Sequence, residues 1–357
     1  MVFNPFKLFV PPKKMLGIDI GTSSLKIVEL SKWGGGRTLE NYGEIKSGAL
    51  FKESFKTFGK GTYLISSLFV SRAIRAVLEE ARIKTKEAIF SIPDFSTFSV
   101  AIELPPMSEK EIPEAVRFNA PQYIPLPSSE TTIDWRLIEG APGEPHSSLK
   151  VLLMAIPNQV VQEYQRVAQM AGLELYALEA EALGIVRALI KDNKKAICLI
   201  DIGVQSTTVN IVDKGVLRKS YSFDFAGSQL TFAIASALDK GYGEAEEIKC
   251  KRGLFASQEN IAKTLYLLID PLLVEIRKIS SEYAQLKGKE IEEIYLTGGT
   301  ANLPGLKEYF SETFKKNVEI PNCFSDFLYP PILNETLKEM SPRFSVAVGV
   351  ALGGLEG

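Results

Sequence analysis

One short pattern occurs twice, and it constrains the fold more than any other feature of the chain. Residues 15 to 28, MLGIDIGTSSLKIV, align with residues 197 to 211, ICLIDIGVQSTTVNI, so that Asp19 falls on Asp201, Gly21 on Gly203 and Ser24 on Ser206. Each copy reads as a buried strand, a DIG stop, a polar turn and a second strand. Self-similarity at this separation predicts two related halves, whatever lies between them. A further extended segment follows each copy, near residues 38 to 46 after the turn at Gly34 to Gly36, and in VLRKSYSFDF after Asp213, Lys214 and Gly215. Residues 68 to 81 place Phe69, Ala73, Ile74, Val77 and Leu78 at helical spacing, and EAIFSIP behind them reads as a buried strand. Strand and helix alternate, so the fold class is α/β.

Two segments interrupt the repeat. Between 94 and 168, Pro105, Pro106, Pro113, Pro121, Pro125, Pro127, Pro142 and Pro145 punctuate short apolar runs. This stretch reads as an inserted module: the strand TFSVAIEL, a short helix opened by a Ser108 to Glu111 capping box, the strand pair TTIDWRLI and KVLLMAIP, and a helix over 158 to 170. Between 240 and 289 a charged stretch carries a long amphipathic helix, with Ile261, Leu265, Leu268, Leu272, Ile276, Ile279, Tyr283 and Leu286 on one side.

Composition removes several classes of function. At 357 residues, 45% hydrophobic and 24% charged, the chain is globular and long enough for more than one core. Forty-one Lys and Arg against forty-three Asp and Glu leave a net charge of -2, with no overall field to hold nucleic acid or an acidic membrane. No apolar run reaches the length of a membrane helix. Phe3, Phe6 and Phe9 sit in an N-terminal stretch too short and interrupted for a signal peptide. Cys198, Cys250 and Cys323 are odd in number and far apart, which fits a reducing, cytoplasmic compartment and reads as small core residues. A single histidine, His146, leaves nothing for a His-based metal site or a Ser-His-Asp triad.

The repeated turn itself suits phosphate chemistry. A hairpin turn built from Gly, Thr and Ser can wrap backbone N-H groups and hydroxyls around a phosphate chain, because glycine lets the backbone approach closely. One DIG alone reads as an ordinary strand end; two in matching context predict a clamp. Asp19 and Asp201 stand where carboxylates would hold the water shell of a Mg2+ ion bridging the phosphates, and Lys26 adds charge neutralisation. A third element, EIYLTGGTANLPGL, runs a strand into Gly298 and Gly299, where a flat ring or ribose can lie against bare backbone.

These three elements together resemble the ASKHA superfamily of actin, the 70-kDa heat-shock chaperones, sugar kinases and FtsA. The segments QYIPLPSSETTIDW, LEAEALGIVRAL, LIDIGVQSTTVNIVDKG and LTGGTANLPGL are similar, within the FtsA-like branch, to the PilM family of type IV pilus assembly proteins. The resemblance implies an actin-like, ribonuclease H-like duplicated fold with an FtsA-type inserted subdomain. It divides the chain into subdomain 1A at 1–93 and 169–195, 1C at 94–168, 2A at 196–240 and 290–338, 2B at 241–289, and a C-terminal helix at 339–357.

It also implies ATP or ADP in the cleft between the halves. Gly21, Thr22, Ser23, Ser24 and Lys26 would lie on the first hairpin, Gly203, Ser206 and Thr207 on the second, and Gly227 at a further phosphate-side position. Gly298, Gly299 and Leu303 would pack the adenosine. Glu246 and Lys249 match ribose- or base-contacting positions, although on a charged helix they read equally as a solvated face. Glu179 corresponds to the position that orients water in hydrolysing relatives. With one glycine in GVQSTT, Ala226 before Gly227 and no dedicated general base, turnover is expected to be slow or absent.

The partners that the resemblance implies are the cytoplasmic N-terminal peptide of PilN, docked beside the inserted module, and the pilus motor ATPases. Membrane contact would then come only through partners, and self-association stays open. Phe118, Tyr123, Ile124 and Trp135 are candidates for the docking surface, with module core as the competing reading. Two other functions remain open: an FtsA-like membrane-associated filament protein and a small-molecule phosphotransferase.

Overall fold

The structure is a computed structural model that describes residues 13–47, 56–59, 62–144, 147–191, 194–255 and 259–356. Phe3, Phe6, Phe9 and His146 lie outside the described residues. The first half begins with three antiparallel strands, β1 (Lys13–Ile20), β2 (Ser24–Trp33) and β3 (Gly36–Lys46). A small hairpin, β4 (Lys56–Gly59) and β5 (Thr62–Ile65), precedes helix α1 (Ser67–Glu80). Strand β6 (Glu87–Ile92) then lies parallel to β1.

The inserted module follows as β7 (Phe98–Leu104), α2 (Ile112–Asn119), β8 (Thr131–Glu139) and β9 (Leu149–Pro157). Its sheet, ordered β7-β9-β8, packs one face against α2 around Ile102, Leu104, Val116, Leu149, Val151 and Leu153. Ser108 does bond Glu111 through both its backbone N-H and its hydroxyl, at 2.8 and 2.7 Å, but the bonds close a turn and the helix starts at Ile112. Helix α3 (Asn158–Ala171), grouped with the module in the sequence reading, buries Val160, Tyr164, Val167, Ala168 and Ala171 beside α1 on the first sheet. Its apolar stripe therefore belongs to the first half's core. The half closes with β10 (Glu174–Ala180), parallel to β6, and α4 (Glu181–Leu189).

The second half repeats the plan. Strands β11 (Ala196–Ile202), β12 (Thr207–Asp213) and β13 (Val216–Phe223) are antiparallel neighbours. Helices α5 (Gly227–Leu238), α6 (Tyr242–Arg252) and α7 (Glu259–Lys287) lead to β14 (Glu293–Thr297), then to α8 (Leu306–Phe314), β15 (Asn317–Glu319) and α9 (Asn334–Glu356). The strand orders, β10-β6-β1-β2-β3 and β13-β12-β11-β14-β15, place strands one to five of each half in the same relative positions. Along α7 the predicted apolar side is buried from Ile261 to Tyr283, except that Leu268 is half-buried and Leu286 is exposed where the helix runs past the sheet.

Helices α4 and α9 lie between the two sheets and share one core with both, from Met15 and Val28 on the first to Leu199 and Val212 on the second. A helix enclosed on both sides must be apolar all round and slim. The sequence FSVAVGVALGGL supplies both properties, and its closest approach is glycine to glycine. A Cβ on Gly349 would stand 1.8 Å from the carbonyl oxygen of Gly184.

Candidate nucleotide cleft

The two DIG hairpins build the same turn. Gly21 N-H donates to the Ser24 carbonyl and Gly203 N-H to the Ser206 carbonyl, each at 2.9 Å. The two turns face each other, and the Thr22 hydroxyl donates to Gln205 Oε1 at 3.4 Å across the gap. Between them is a cavity of about 560 Å³ lined by Gly21, Thr22, Ser23, Ser24 and Lys26 from the first half, and by Gly203, Gln205, Ser206 and Thr208 from the second. The N-terminus of α5 docks on the second turn, with Gly227 N-H donating to the Gly203 carbonyl at 2.9 Å. Gly227 lies behind the lining, at a backbone approach that a Cβ would block, 2.3 Å from the Thr300 hydroxyl.

Strand register decides which side chains reach the cavity. Asp19 stands opposite Lys26, and Asp201 opposite Thr208, at the same position in each half. Thr207 points the other way. Its hydroxyl is fully buried without a hydrogen-bond partner among the described residues, and Thr208 lines the cavity in its place. The sequence reading was one residue out because side chains alternate along a strand.

The carboxylates at the floor have different environments. Asp19 accepts hydrogen bonds from Lys26 Nζ and the Ser91 hydroxyl, both at 3.0 Å. Asp201 has no cross-strand cation; burial first, then the charges of Glu181 and Asp19, push its pKa up to about 7. Asp94, in the turn after β6, borders the second cavity and not this one; it accepts the Ala182 N-H at 3.1 Å through Oδ1, while its other oxygen is buried without a partner among the described residues. Burial, followed by the charge of Glu181, holds this carboxyl well above the usual aspartate range.

Glu179 is not part of this group. Its two oxygens take both Nη atoms of Arg187, with Arg187 Nη1 also donating to the Gly349 carbonyl at 2.8 Å. The carboxylate from this segment that lines the cavity is Glu181, the first residue of α4. Glu179 is held by Arg187 away from the cavity lining, so the structure does not bring it to the position expected of a water-orienting residue.

On the far wall, Gly298 has φ +88° and its N-H donates to the Pro342 carbonyl of α9 at 2.9 Å. Gly298 and Gly299 both line the cavity, and a Cβ on Gly298 would stand 2.3 Å from Asp201 Oδ1. Leu303 does not reach it; it is buried in the second half's core. Glu246 and Lys249 line the cavity from α6, paired at 2.7 Å, with Lys249 Nζ also donating to the Gly227 carbonyl at 3.1 Å and to the Thr231 hydroxyl at 2.9 Å. Lys249 is buried, so a solvated face does not describe it. Cys198 and Cys323 are buried, but Cys250 is exposed at the cavity, against the reading of all three as core. No group of three or more metal-ligating side chains occurs among the described residues.

The sequence profile described as Type IV pilus assembly protein PilM matches residues 17–355. The chain belongs to the PilM family. A solved PilM-PilN type IV pilus biogenesis complex superposes with a TM-score of 0.83 at 25% identity, covering 97% of this chain and 100% of that one. The cell division protein FtsA of Enterococcus faecalis is 22% identical over 353 residues, covering 86% of this chain and 78% of that protein. MreB5 of Spiroplasma citri, solved with AMPPNP, shares the actin-like fold at a TM-score of 0.50 and 14% identity, covering 92% of this chain and 97% of that one.

In this PilM-family chain the inserted module separates the docking candidates. Phe118, at 78% exposure, and Tyr123, at 47%, present aromatic surface, whereas Ile124 is buried in the module core and Trp135 is half-buried against it. Ile124 is thereby removed as a surface residue. Tyr123, Phe95, Phe98 and Val100 line a second cavity of about 310 Å³ that also borders Ser220 and Ser222 of β13. Sequence reasoning missed Gln205, Thr208, Glu181, Phe95 and Arg343 as cavity residues. Only the first two carried a signal, in the alternation along the second hairpin. No helix among the described residues is long and apolar enough to cross a membrane.

Proposed function

We propose that the chain is the nucleotide-binding scaffold of the type IV pilus inner-membrane assembly platform, with ATP or ADP between its halves and the N-terminal peptide of PilN on its inserted module. The observation that carries this reading is the pair of equivalent phosphate turns facing each other across one 560 Å³ cavity. That MreB5 was solved with AMPPNP supports the nucleotide class. The PilM-PilN complex supports the partner. Phe118 and Tyr123 supply the exposed aromatic surface for it, and the motor ATPases are further contacts. The protein acts in the cytoplasm and reaches the inner membrane through these partners.

The donor set fits magnesium. Asp201 is a half-buried carboxylate beside Asp19 with no cation opposite it, and with no cluster of three or more metal-ligating side chains among the described residues the pair matches an ion that keeps most of its waters and binds phosphate. Bound there, Mg2+ would neutralise phosphate charge. Lys26 holds Asp19 in place, the two turns offer hydroxyls and N-H groups to the phosphates, and Gly298, lacking a Cβ, lets the far wall approach Asp201. With Glu179 locked by Arg187, ATP turnover is at most slow. The nucleotide then acts by favouring the closed arrangement of the halves over the open one.

Two titrations test this. Fluorescent ATP should bind the wild type and fail to bind Asp19→Ala and Asp201→Ala; unchanged binding in both removes the cleft assignment. A labelled PilN N-terminal peptide should lose affinity for a Phe118→Ala, Tyr123→Ala double variant, and equal binding removes the docking surface. The match to FtsA over 86% of the chain favours a second reading, a membrane-associated filament. Nucleotide-dependent pelleting of the purified protein with vesicles would establish it.

A further inference from the structure

One cation that lines the cavity has no acidic partner among the described residues. Lys46 is the last residue of β3 and lines the cavity at its open mouth. Register puts it there. On β3, Glu44 stands opposite Lys26 and Lys46 opposite Ser24, and residues two apart on a strand share a face. Lys46 thus shares a face with the carboxylate-lysine row at the floor and stands one step nearer solvent, beside the first phosphate turn. The next residue ties it to that turn, since Ser47 N-H donates to the Ser23 carbonyl at 2.9 Å.

Every other cation that lines the cavity has an acidic partner. Lys26 pairs with Asp19 at 3.0 Å, Lys249 with Glu246 at 2.7 Å, Lys251 with Glu247 at 3.3 Å and Arg343 with Glu44 at 3.3 Å. Lys46 has none among the described residues, because Arg343 occupies the acid nearest to it on its own strand. Cys250 on α6 lines the same cavity; burial and then the charge of Glu246 raise its thiol pKa, with Lys249 and, least, Lys46 opposing them. A polyphosphate entering over Asp19 and Asp201 meets an acidic floor, and an unpaired ammonium above the turn offsets that repulsion.

We propose that Lys46 is a further nucleotide-binding residue that takes the outermost phosphate, so that the site grades its ligands by phosphate number. This rests on the reading of the cleft as an adenine-nucleotide site. The test compares the Mg2+ complexes of ATP, ADP and AMP by calorimetry on the wild type, Lys46→Gln and Lys46→Arg. Losing one charge-assisted hydrogen bond should weaken ATP about tenfold in Lys46→Gln, with a smaller effect on ADP and none on AMP. Lys46→Arg should retain ATP affinity. Equal losses for all three nucleotides, or no loss, would overturn the proposal. Cys250 gives a second readout, since Cys198 and Cys323 are buried. ATP should protect Cys250 from iodoacetamide, and Lys46→Gln should need about ten times more ATP for the same protection; unchanged protection counts against the proposal. A wild type that binds none of the three nucleotides removes the cleft reading and this inference with it. Normal binding in both wild type and Lys46→Gln removes the inference alone.

Discussion

Without a ligand, Asp201 destabilises the fold, and pH reveals by how much. Burial and then the charges of Glu181 and Asp19 raise its pKa from the ordinary 3.8 to about 7, with Lys26 opposing them. In the unfolded chain it releases its proton near pH 4, in the native chain near pH 7. Between these values the native state holds the extra proton, so stability falls as pH rises from about 4 to about 7 and is level above that. A shift of about three units corresponds to roughly 4 kcal/mol, and solvent in the cleft reduces this to about 2–4 kcal/mol. Asp201→Asn removes the effect. Urea denaturation of both proteins near pH 4.5, 6 and 8 should show the variant gaining little at the lowest pH and about 2–4 kcal/mol at the highest. Thr208→Lys provides the companion, placing a lysine opposite Asp201 as Lys26 is opposite Asp19. It should flatten the same pH dependence by lowering the pKa of Asp201. A gain that does not vary with pH, or an Asp201→Asn variant less stable than wild type near pH 8, refutes the reasoning.

Arg187→Ala leaves the Glu179 carboxylate unpaired between β10 and α9, and should cost about 3 kcal/mol in urea denaturation, since breaking a largely buried pair exposes one partner's full desolvation penalty. Gly349→Ala places a Cβ 1.8 Å from the Gly184 carbonyl oxygen and must push α4 and α9 apart. A loss of about 3 kcal/mol or more is expected by thermal denaturation, and a loss under about 1 kcal/mol would mean that the helix crossing yields to a methyl group.

What was legible in the sequence was whatever a local pattern determines. The DIG hairpins, the Gly298 and Gly299 turn and the alternation of strand and helix depend on residues within one or two turns of each other. Parity within a strand was not legible. Thr207 and Thr208 look alike until register shows which shares a face with Asp201, and Glu179 differs from Glu181 because β10 ends between them. Nor was allegiance. Helix α3 follows the module in sequence but packs on the first sheet, and Ile124 has the same apolar character as Phe118 while facing inward. Arg343 and Phe95 reach the cavity from elements far apart in the chain, and no local spacing anticipates that.

The duplication also explains why the two aspartates are not equivalent. Both halves have the same register, with the residue seven places after each aspartate standing opposite it. In the first half that residue is Lys26, and the carboxylate is neutralised within the fold at 3.0 Å. In the second it is Thr208, which offers a hydroxyl and no charge. One backbone thus holds an internally satisfied aspartate facing an unsatisfied one, and the unsatisfied one lies against Gly298, where a side chain on the glycine would collide with it. A symmetric pair of lysines would leave little for a cation to do, and a symmetric pair of threonines would bury two unneutralised charges at the same floor. The single difference at the equivalent position leaves one aspartate neutralised within the fold and the other not, and under the proposed function that second charge is the one a bound cation would relieve.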